Sequence, residues 1–270
     1  MKNGKLEGKV AVVTGSSRGI GKAIAAELAR NGAFVVLNGR DPDRLKKAED
    51  EIRKIRGYAM GICCDVSTIE GSRNLISETL NKHGRIDILV NNVGISMRGS
   101  LADLNPEVFD TIFRSNVFGA VYPAISAMRH LRVAHGSIVF ISSLAGVRGL
   151  PFISAYSSSK MALRAVAESI RIEEKAIHVG LVYVGYTEND LNKETVASDG
   201  SKVILGPRHG KGVATKASVA KAVVRNIKKR KFITVLTFQG KMMALIQPLF
   251  PGLIERIIRA NLEKFRERGK

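Results

Sequence analysis

Tryptophan is absent and aromatic residues make up only 6% of the 270-residue chain. No aromatic platform interleaves with the basic run Lys228-Lys229-Arg230-Lys231, and no recognised binding module surrounds it. The positive charge therefore does not read as a nucleic-acid site. Cysteine is limited to Cys63 and Cys64. Adjacent cysteines cannot form an unstrained disulfide, so both are expected as buried core thiols in a reducing compartment. His83, His130, His135, His178 and His209 share no metal-ligand spacing with one another or with the cysteines, and no metal is expected. Seven prolines and no long polar tract leave no linker between domains, and no internal repeat divides the chain. Residues 1–5 are polar and run straight into an apolar segment, leaving no room for a signal peptide. A cytoplasmic location is expected.

What the chain does have begins with a glycine turn. Residues 9–13 read as a short buried strand running into Thr14-Gly15-Ser16-Ser17-Arg18-Gly19-Ile20-Gly21. Residues 22–29 follow with helical apolar spacing and good helix formers. Strand, glycine turn and helix together are the setting of a dinucleotide site. Gly15 permits the tight turn, Gly19 lets a pyrophosphate approach the backbone, and Gly21 lets the helix lie close on the strand. Ser17, Arg18 and Ile20 complete the loop, and the helix N-terminus adds orphan N–H groups and a positive dipole end. The next strand, residues 33–38, ends in Gly39-Arg40-Asp41. An acid accepting from the ribose hydroxyls is usual here, but Gly39 takes its place and Arg40 follows. Arg18 reaches the same corner. Two guanidiniums near a ribose suit a 2′-phosphate, which they grip bidentately, so NADP(H) is the expected cofactor. Asp41 is read as the cap of a helix over residues 43–55.

The proton chemistry is read at Tyr156 and Lys160, thirteen residues past Ser143. Positions i and i+4 share one helix face. A free phenol has a pKa of about 10 and transfers protons poorly at neutral pH. A cation about 4 Å away, at an effective dielectric of about 20, contributes roughly 4 kcal/mol. That is up to about 3 pKa units, enough to bring the phenol toward physiological pH.

With these features in order the chain resembles the short-chain dehydrogenase/reductase family over roughly residues 6–240, close to its membrane-associated hydroxysteroid dehydrogenase-like branch. The marks are Thr14-Gly15-x-x-x-Gly19-x-Gly21, Asp65-Val66, Asn91-Asn92-Val93-Gly94, Asn116, Ser142-Ser143 and Tyr156-x-x-x-Lys160. The resemblance implies a Rossmann-like α/β fold, a single domain around a doubly wound seven-stranded parallel sheet. It implies that Tyr156 is the general acid/base, that Lys160 lowers its pKa and holds the nicotinamide ribose, and that Ser143 orients the substrate oxygen. Asn116 is implied to anchor a water that relays protons to Lys160. Asp65, with Val66, would contact the adenine, Asn91 would support the adjoining strand end, and Val93 and Gly94 would line the cofactor. Three departures stand out. Val93 replaces an alanine. Val184-Gly185 replaces Pro-Gly after the strand at residues 178–183. Asn189 stands where a threonine is usual, with Thr187 two residues earlier, so Gly185 and Thr187 are carried over as cofactor contacts of a differently aimed segment.

The remaining pattern is coarse but consistent. Strands are expected at residues 59–64, 86–90, 137–141 and 232–237, and helices at 106–132 and 155–175, the alternation of a parallel sheet. Gly15, Asp65, Asn91, Ser143 and Gly185 all follow strand ends, where such sheets bind ligands. Residues 1–240 form the expected cofactor-binding and catalytic domain, and residues 241–270 a basic amphipathic extension. Residues 202–270 hold 17 Lys and Arg against 3 Glu. Within them, residues 204–212 read as a substrate lid. The apolar run 242–251 is too short to span a bilayer, and a closing helix directs Ile254, Ile257, Ile258, Leu262 and Phe265 to one face. Such a segment suits an anionic membrane surface or a subunit interface of a homodimer or homotetramer. The activity expected is NADP(H)-dependent interconversion of a carbonyl and a secondary alcohol on an apolar, lipid- or steroid-like substrate. A 3-oxoacyl carrier-protein reductase and a non-catalytic NADPH-binding sensor or scaffold stay open as alternatives.

Overall fold

The computed structural model describes residues 6–56, 58–191, 193–208, 210 and 212–267. Residues 1–5, His209 within the expected lid and the last three residues of the basic tail lie outside them.

The first half of the sheet comes from β1 (Val10–Val13), β2 (Phe34–Gly39) and β3 (Ala59–Cys63), connected by α1 (Gly19–Arg30) and α2 (Pro42–Arg56). After α3 (Ile69–His83), the second half follows: β4 (Ile88–Asn91), a short β5 (Met97–Arg98), α4 (Pro106–Phe113), α5 (Gly119–Val133), β6 (Ser137–Ser143), α6 (Ser154–Glu173) and β7 (His178–Val184). The chain closes with β8 (Glu194–Ala197), β9 (Lys202–Ile204), α7 (Lys216–Lys229), β10 (Ile233–Val235), α8 (Phe238–Ile246), α9 (Pro251–Ala260) and α10 (Leu262–Glu267).

The main sheet has the order β10-β7-β6-β4-β1-β2-β3, and every pairing is parallel. Its central strands are continuous apolar runs because helices cover both faces. Ile24 and Leu28 of α1, Leu45 and Ile52 of α2 and Val219 and Val223 of α7 pack on one face. Leu75 of α3, Leu131 of α5 and Leu163 of α6 pack on the other. Strand order reverses between β1 and β4, which opens a crevice at their carboxyl ends.

Four features differ from the sequence reading. The helix expected over residues 106–132 is interrupted by a π-helical turn, Arg114–Phe118, where the buried Asn116 side chain binds the Ile95 backbone instead of facing outward. The expected closing helix breaks at Asn261, whose Nδ2 donates to Ile257 O at 2.8 Å and so competes with the helical ladder. Ile254 is buried, but Ile257 is half-exposed. Cys63 is exposed and Cys64 only partly covered, because β3 is the edge strand of the sheet. Finally, β5, β8 and β9 form a separate three-stranded sheet that had no counterpart in the sequence pattern.

Candidate active site

The glycine turn is held in shape by positive φ values at Gly15 (60°) and Gly19 (61°). At Gly21 a Cβ would come within 2.3 Å of Gly15 O and 2.5 Å of Asn92 Nδ2. The position therefore stays bare so that α1 can start directly beneath the turn. Arg18 precedes α1 without a side-chain cap, leaving first-turn N–H groups for an anion. This cradle fits a dinucleotide pyrophosphate. Two asparagines that sequence reasoning left unassigned fix it. Asn92 Nδ2 donates to Thr14 O and Gly15 O, each at 3.0 Å. Asn38 accepts from Gly15 N–H at 3.3 Å and donates to Ile62 O and Cys64 O. A polar residue closing an otherwise apolar strand was the signal for Asn38. The buried Asn91 amide, by contrast, has no hydrogen-bond partner among the described residues. Val93 is accommodated between Gly15 and Gly119, whose added Cβ atoms would lie 3.0 and 3.3 Å from its methyls.

At the ribose corner Gly39 ends β2, and a Cβ there would lie 3.1 Å from Ser17 Cβ and Oγ. Arg40 is 73% exposed and reaches Asp65 at 3.4 Å. Burial alone would push the Asp65 carboxyl up, but hydrogen bonds from Ser67 and the charge of Arg40 together hold it below the usual range. Asp41 caps α2 as read from the sequence, accepting from Arg44 N–H at 3.0 Å. Arg18, Lys22 and Arg44 line one open cleft with Asp190 and Glu194.

Across the crevice Ser143 ends β6, its Oγ accepting from Ala145 N–H at 3.3 Å, and its hydroxyl acts on the Tyr156 phenol near the start of α6. Lys160 is buried one turn on, donating to Ile141 O at 3.1 Å with Nζ 5.8 Å from the Tyr156 ring centre. Gly94 makes room for it, since a Cβ there would meet Lys160 Nζ at 3.0 Å and Asn116 Oδ1 at 3.1 Å. Asn116 also donates to Ser159 Oγ at 2.9 Å. The electrostatics differ from the expected lowering of the phenol by Lys160. Burial raises the Tyr156 pKa, opposed by Ser143 and by the charges of Arg98 and Arg208. Burial, helped by repulsion from Lys193, lowers Lys160 to about 8.

The segment after β7 that departs from the family pattern is tied to the expected lid. Asn189 donates to Leu205 O and Gly206 O and accepts from Arg208 N–H, so it ties down the expected lid. Thr187 is buried, bonds Gly185 O at 3.2 Å and bridges to Ala214.

One half of this crevice is shaped to receive a dinucleotide and the other to move a proton, which defines a nucleotide-binding oxidoreductase of the doubly wound fold. The family model described as short chain dehydrogenase matches residues 9–200, and the chain belongs to that family. It is 36% identical over 257 residues to 11-beta-hydroxysteroid dehydrogenase-like 4A of Arabidopsis thaliana, covering 93% of this chain and 83% of that protein. It is 35% identical over 250 residues to 3-ketodihydrosphingosine reductase of Bos taurus, covering 88% and 74%. An alcohol dehydrogenase from the archaeon Thermococcus sibiricus, complexed with 5-hydroxy-NADP, matches with a TM-score of 0.74 at 27% identity, over 85% of this chain and 96% of that one. A short chain dehydrogenase/reductase from Burkholderia phymatum in complex with NAD reaches 0.77 at 21% identity, over 97% and 96%, a likeness of fold alone. The chain is an oxidoreductase of alcohol and carbonyl groups in the hydroxysteroid dehydrogenase-like branch.

Proposed function

We propose that the protein interconverts a carbonyl and a secondary alcohol on an apolar, lipid- or steroid-like substrate, using NADP(H), with Tyr156 as general acid/base. The observation that carries this reading is the gathering of Ser143, Tyr156 and the buried Lys160 at the carboxyl end of β6. When bound, the reduced nicotinamide supplies a hydride to the carbonyl carbon. Ser143 fixes the substrate oxygen. Tyr156 Oη gives that oxygen its proton as negative charge develops, and takes the proton back in the oxidation direction. Lys160 would hold the nicotinamide ribose and pass on the proton that restores Tyr156 after transfer. Asn116, in a π-helical turn of the kind found at functional sites, supports the proton relay to Lys160.

NADP(H) preference rests on the bare Gly39 and on Arg18 and Arg40, both exposed at the ribose corner. The cofactor contacts proposed are the turn from Gly15 through Ser17, Arg18, Gly19, Ile20 and Gly21, then Asp65, Val66, Asn91, Val93 and Gly94, with Gly185 and Thr187 on the far side. An apolar substrate is supported by relatives named for hydroxysteroids and ketodihydrosphingosine and by exposed Leu101, Tyr186 and Leu191 on the loops beside the crevice. An anionic membrane surface is the partner proposed for α8–α10, which expose Phe238, Leu245, Leu249 and Phe250 close to Lys241, Arg256 and Arg259. A panel of steroid, long-chain and short-chain ketones, assayed by NADPH absorbance, tests the reading. Turnover of long-chain or steroid ketones above the short-chain ones supports it. No turnover of any ketone alongside tight NADPH binding rejects it in favour of a sensor.

A further inference from the structure

The small sheet outside the main fold has a consequence for what enters the crevice. Its strand β5 is in register with β8, pairing Met97 with Val196 and Arg98 with Ala197. β5 is wedged in place at its end, where Gly99 has φ 140° and an added Cβ would strike Ser198 Cβ at 2.6 Å. Gly99 N–H also bonds Phe152 O at 3.0 Å. Arg98 is thus delivered from a rigid strand, half-buried, with Nη1 donating to Met97 O at 2.8 Å. Arg208 arrives from the lid, its N–H held by Asn189 at 3.0 Å and its guanidinium 5.5 Å from the Tyr186 ring centre. Beside Tyr156 the same region is walled by Ile95, Met97, Phe109 and Val196. Apolar wall and fixed cations therefore meet at the phenol.

We propose that Arg98 and Arg208 bind an oxyanion, a carboxylate or a phosphate, carried by the substrate close to its reacting carbonyl, so that the enzyme acts on acidic amphiphiles. The proposal rests on the carbonyl-reductase reading above and deepens it. The charges support it independently. Arg98 and Arg208 both act on the Tyr156 phenol, and burial followed by the charge of Arg208 lowers the pKa of Arg98. Lys193 is lowered by burial and then by the charge of Arg208, with Arg18 and Arg98 adding to it. The one acid that acts on Lys193, Asp190, is already bonded to Lys216. Cations gathered in a half-buried space gain most from an incoming anion, which neutralises a repulsion that water does not fully screen. Arg18, at the head of α1 beneath the proposed pyrophosphate cradle, acts on Lys193 but is not among the charges acting on Arg98 or Tyr156, so that cradle alone does not account for Arg98 on β5.

Matched ligands test this. An oxo fatty acid, its methyl ester and the corresponding keto-alkyl phosphate are compared by kcat/KM. Direct binding of dodecanoate and dodecanol to the full chain with NADP+ is measured by calorimetry. Each charge-assisted contact carries about tenfold or more in affinity. The acid or the phosphate is therefore expected to exceed the ester by about tenfold or more, and their ratio says which anion fits. Arg98→Met and Arg208→Met should each bring the acid-to-ester ratio toward one, Arg98→Lys should restore part of it, and the Kd for NADPH should stay within about threefold. Equal kcat/KM for acid and ester in the native enzyme overturns the proposal. So do variants that weaken NADPH binding and slow both substrates alike, which would hand these arginines to the cofactor. If no ketone is turned over, the carbonyl-reductase reading fails, and the calorimetry still decides this one. Dodecanoate bound above dodecanol and lost in Arg98→Met sustains the anion site, whereas equal binding removes it.

Discussion

Burial keeps the Tyr156 phenol protonated at neutral pH, which suits an acid in the reduction direction. Tyr156→Phe removes that proton while leaving the ring. A loss of about 10²–10⁴-fold in kcat is expected, with NADPH affinity retained by fluorescence titration; turnover within tenfold of native would remove Tyr156 from the role. The group that titrates near working pH is Lys160, lowered to about 8 first by burial and then by Lys193. The sign follows from the direction of the shift. Below about 8 Lys160 carries the proton that the proposed relay returns to Tyr156, and as pH rises through 8 that supply is lost, so kcat in the reduction direction should fall along the alkaline limb. Removing a repelling charge raises the pKa of a base. Lys193→Met should accordingly move that limb upward, and an unmoved limb would assign it to another group. At the ribose corner Arg40→Glu is a cleaner probe than Gly39→Asp, whose Cβ would press on Ser17 at 3.1 Å. The ratio of kcat/KM for NADPH over NADH should fall by about tenfold or more, because a phosphate-binding charge is replaced by a repelling one. A native enzyme that prefers NADH would defeat the inference at its source.

Elements explain why some of this was legible and some was not. β1, β2 and β6 are short runs of β-branched and apolar residues, and α1, α2 and α6 carry helical apolar spacing, so these elements followed from local pattern, whereas the seven-stranded sheet was implied by the family resemblance and α3 was not read. The glycine turn was equally local. Its conformation depends on Gly15 and Gly19 themselves, although Gly21 is bare because of both the nearby Gly15 O and the sequence-distant Asn92 side chain. Gly21→Ala should raise the Kd for NADPH by well over tenfold, since a Cβ 2.3 Å from Gly15 O forces the turn or α1 to shift; unchanged binding and melting temperature would show the turn to be compliant. The π-helical turn at Asn116 was missed because one inserted residue leaves the composition unchanged and shifts the apolar stripe by a single step, which does not break a helical run. The β5-β8-β9 sheet escaped for a different reason. Strands of two to four residues are too short for an alternation to register, and β5 pairs with a strand far from it in sequence, Met97 with Val196. Arg98 was unremarkable as a lone arginine and acquires meaning only through that pairing. Cys63 was misjudged because a strand's position at the sheet edge is a property of topology, not of the strand.

For the whole molecule the lopsided charge and the exposed C-terminal apolar face belong to one argument. No helix among the described residues is long and apolar enough to cross a membrane, and the contact proposed for α8–α10 is with a surface. α8 is anchored, since Met243 and Ala244 pack on the core and Gly240 sits against Leu144. Arg148 binds Gln247, Pro251 O and Glu255 and so fixes the start of α9. Deleting residues 241–270 would uncover that core, which makes truncation a poor test. Phe250 and Leu253, 61% and 50% exposed, lie outside the core clusters and can be changed with little loss of packing. Burying such a side chain in the acyl boundary contributes on the order of 1 kcal/mol when half its area is covered. Phe250→Ser with Leu253→Ser should thus weaken binding to phosphatidylserine liposomes by about tenfold or more. Raised salt should weaken the native protein too, as screening shortens the reach of Lys241, Arg256 and Arg259. Native-like liposome binding by the double variant would refute contact through this face. If neither protein binds liposomes and the variant instead sediments as a smaller species, the face is an interface between copies of the chain.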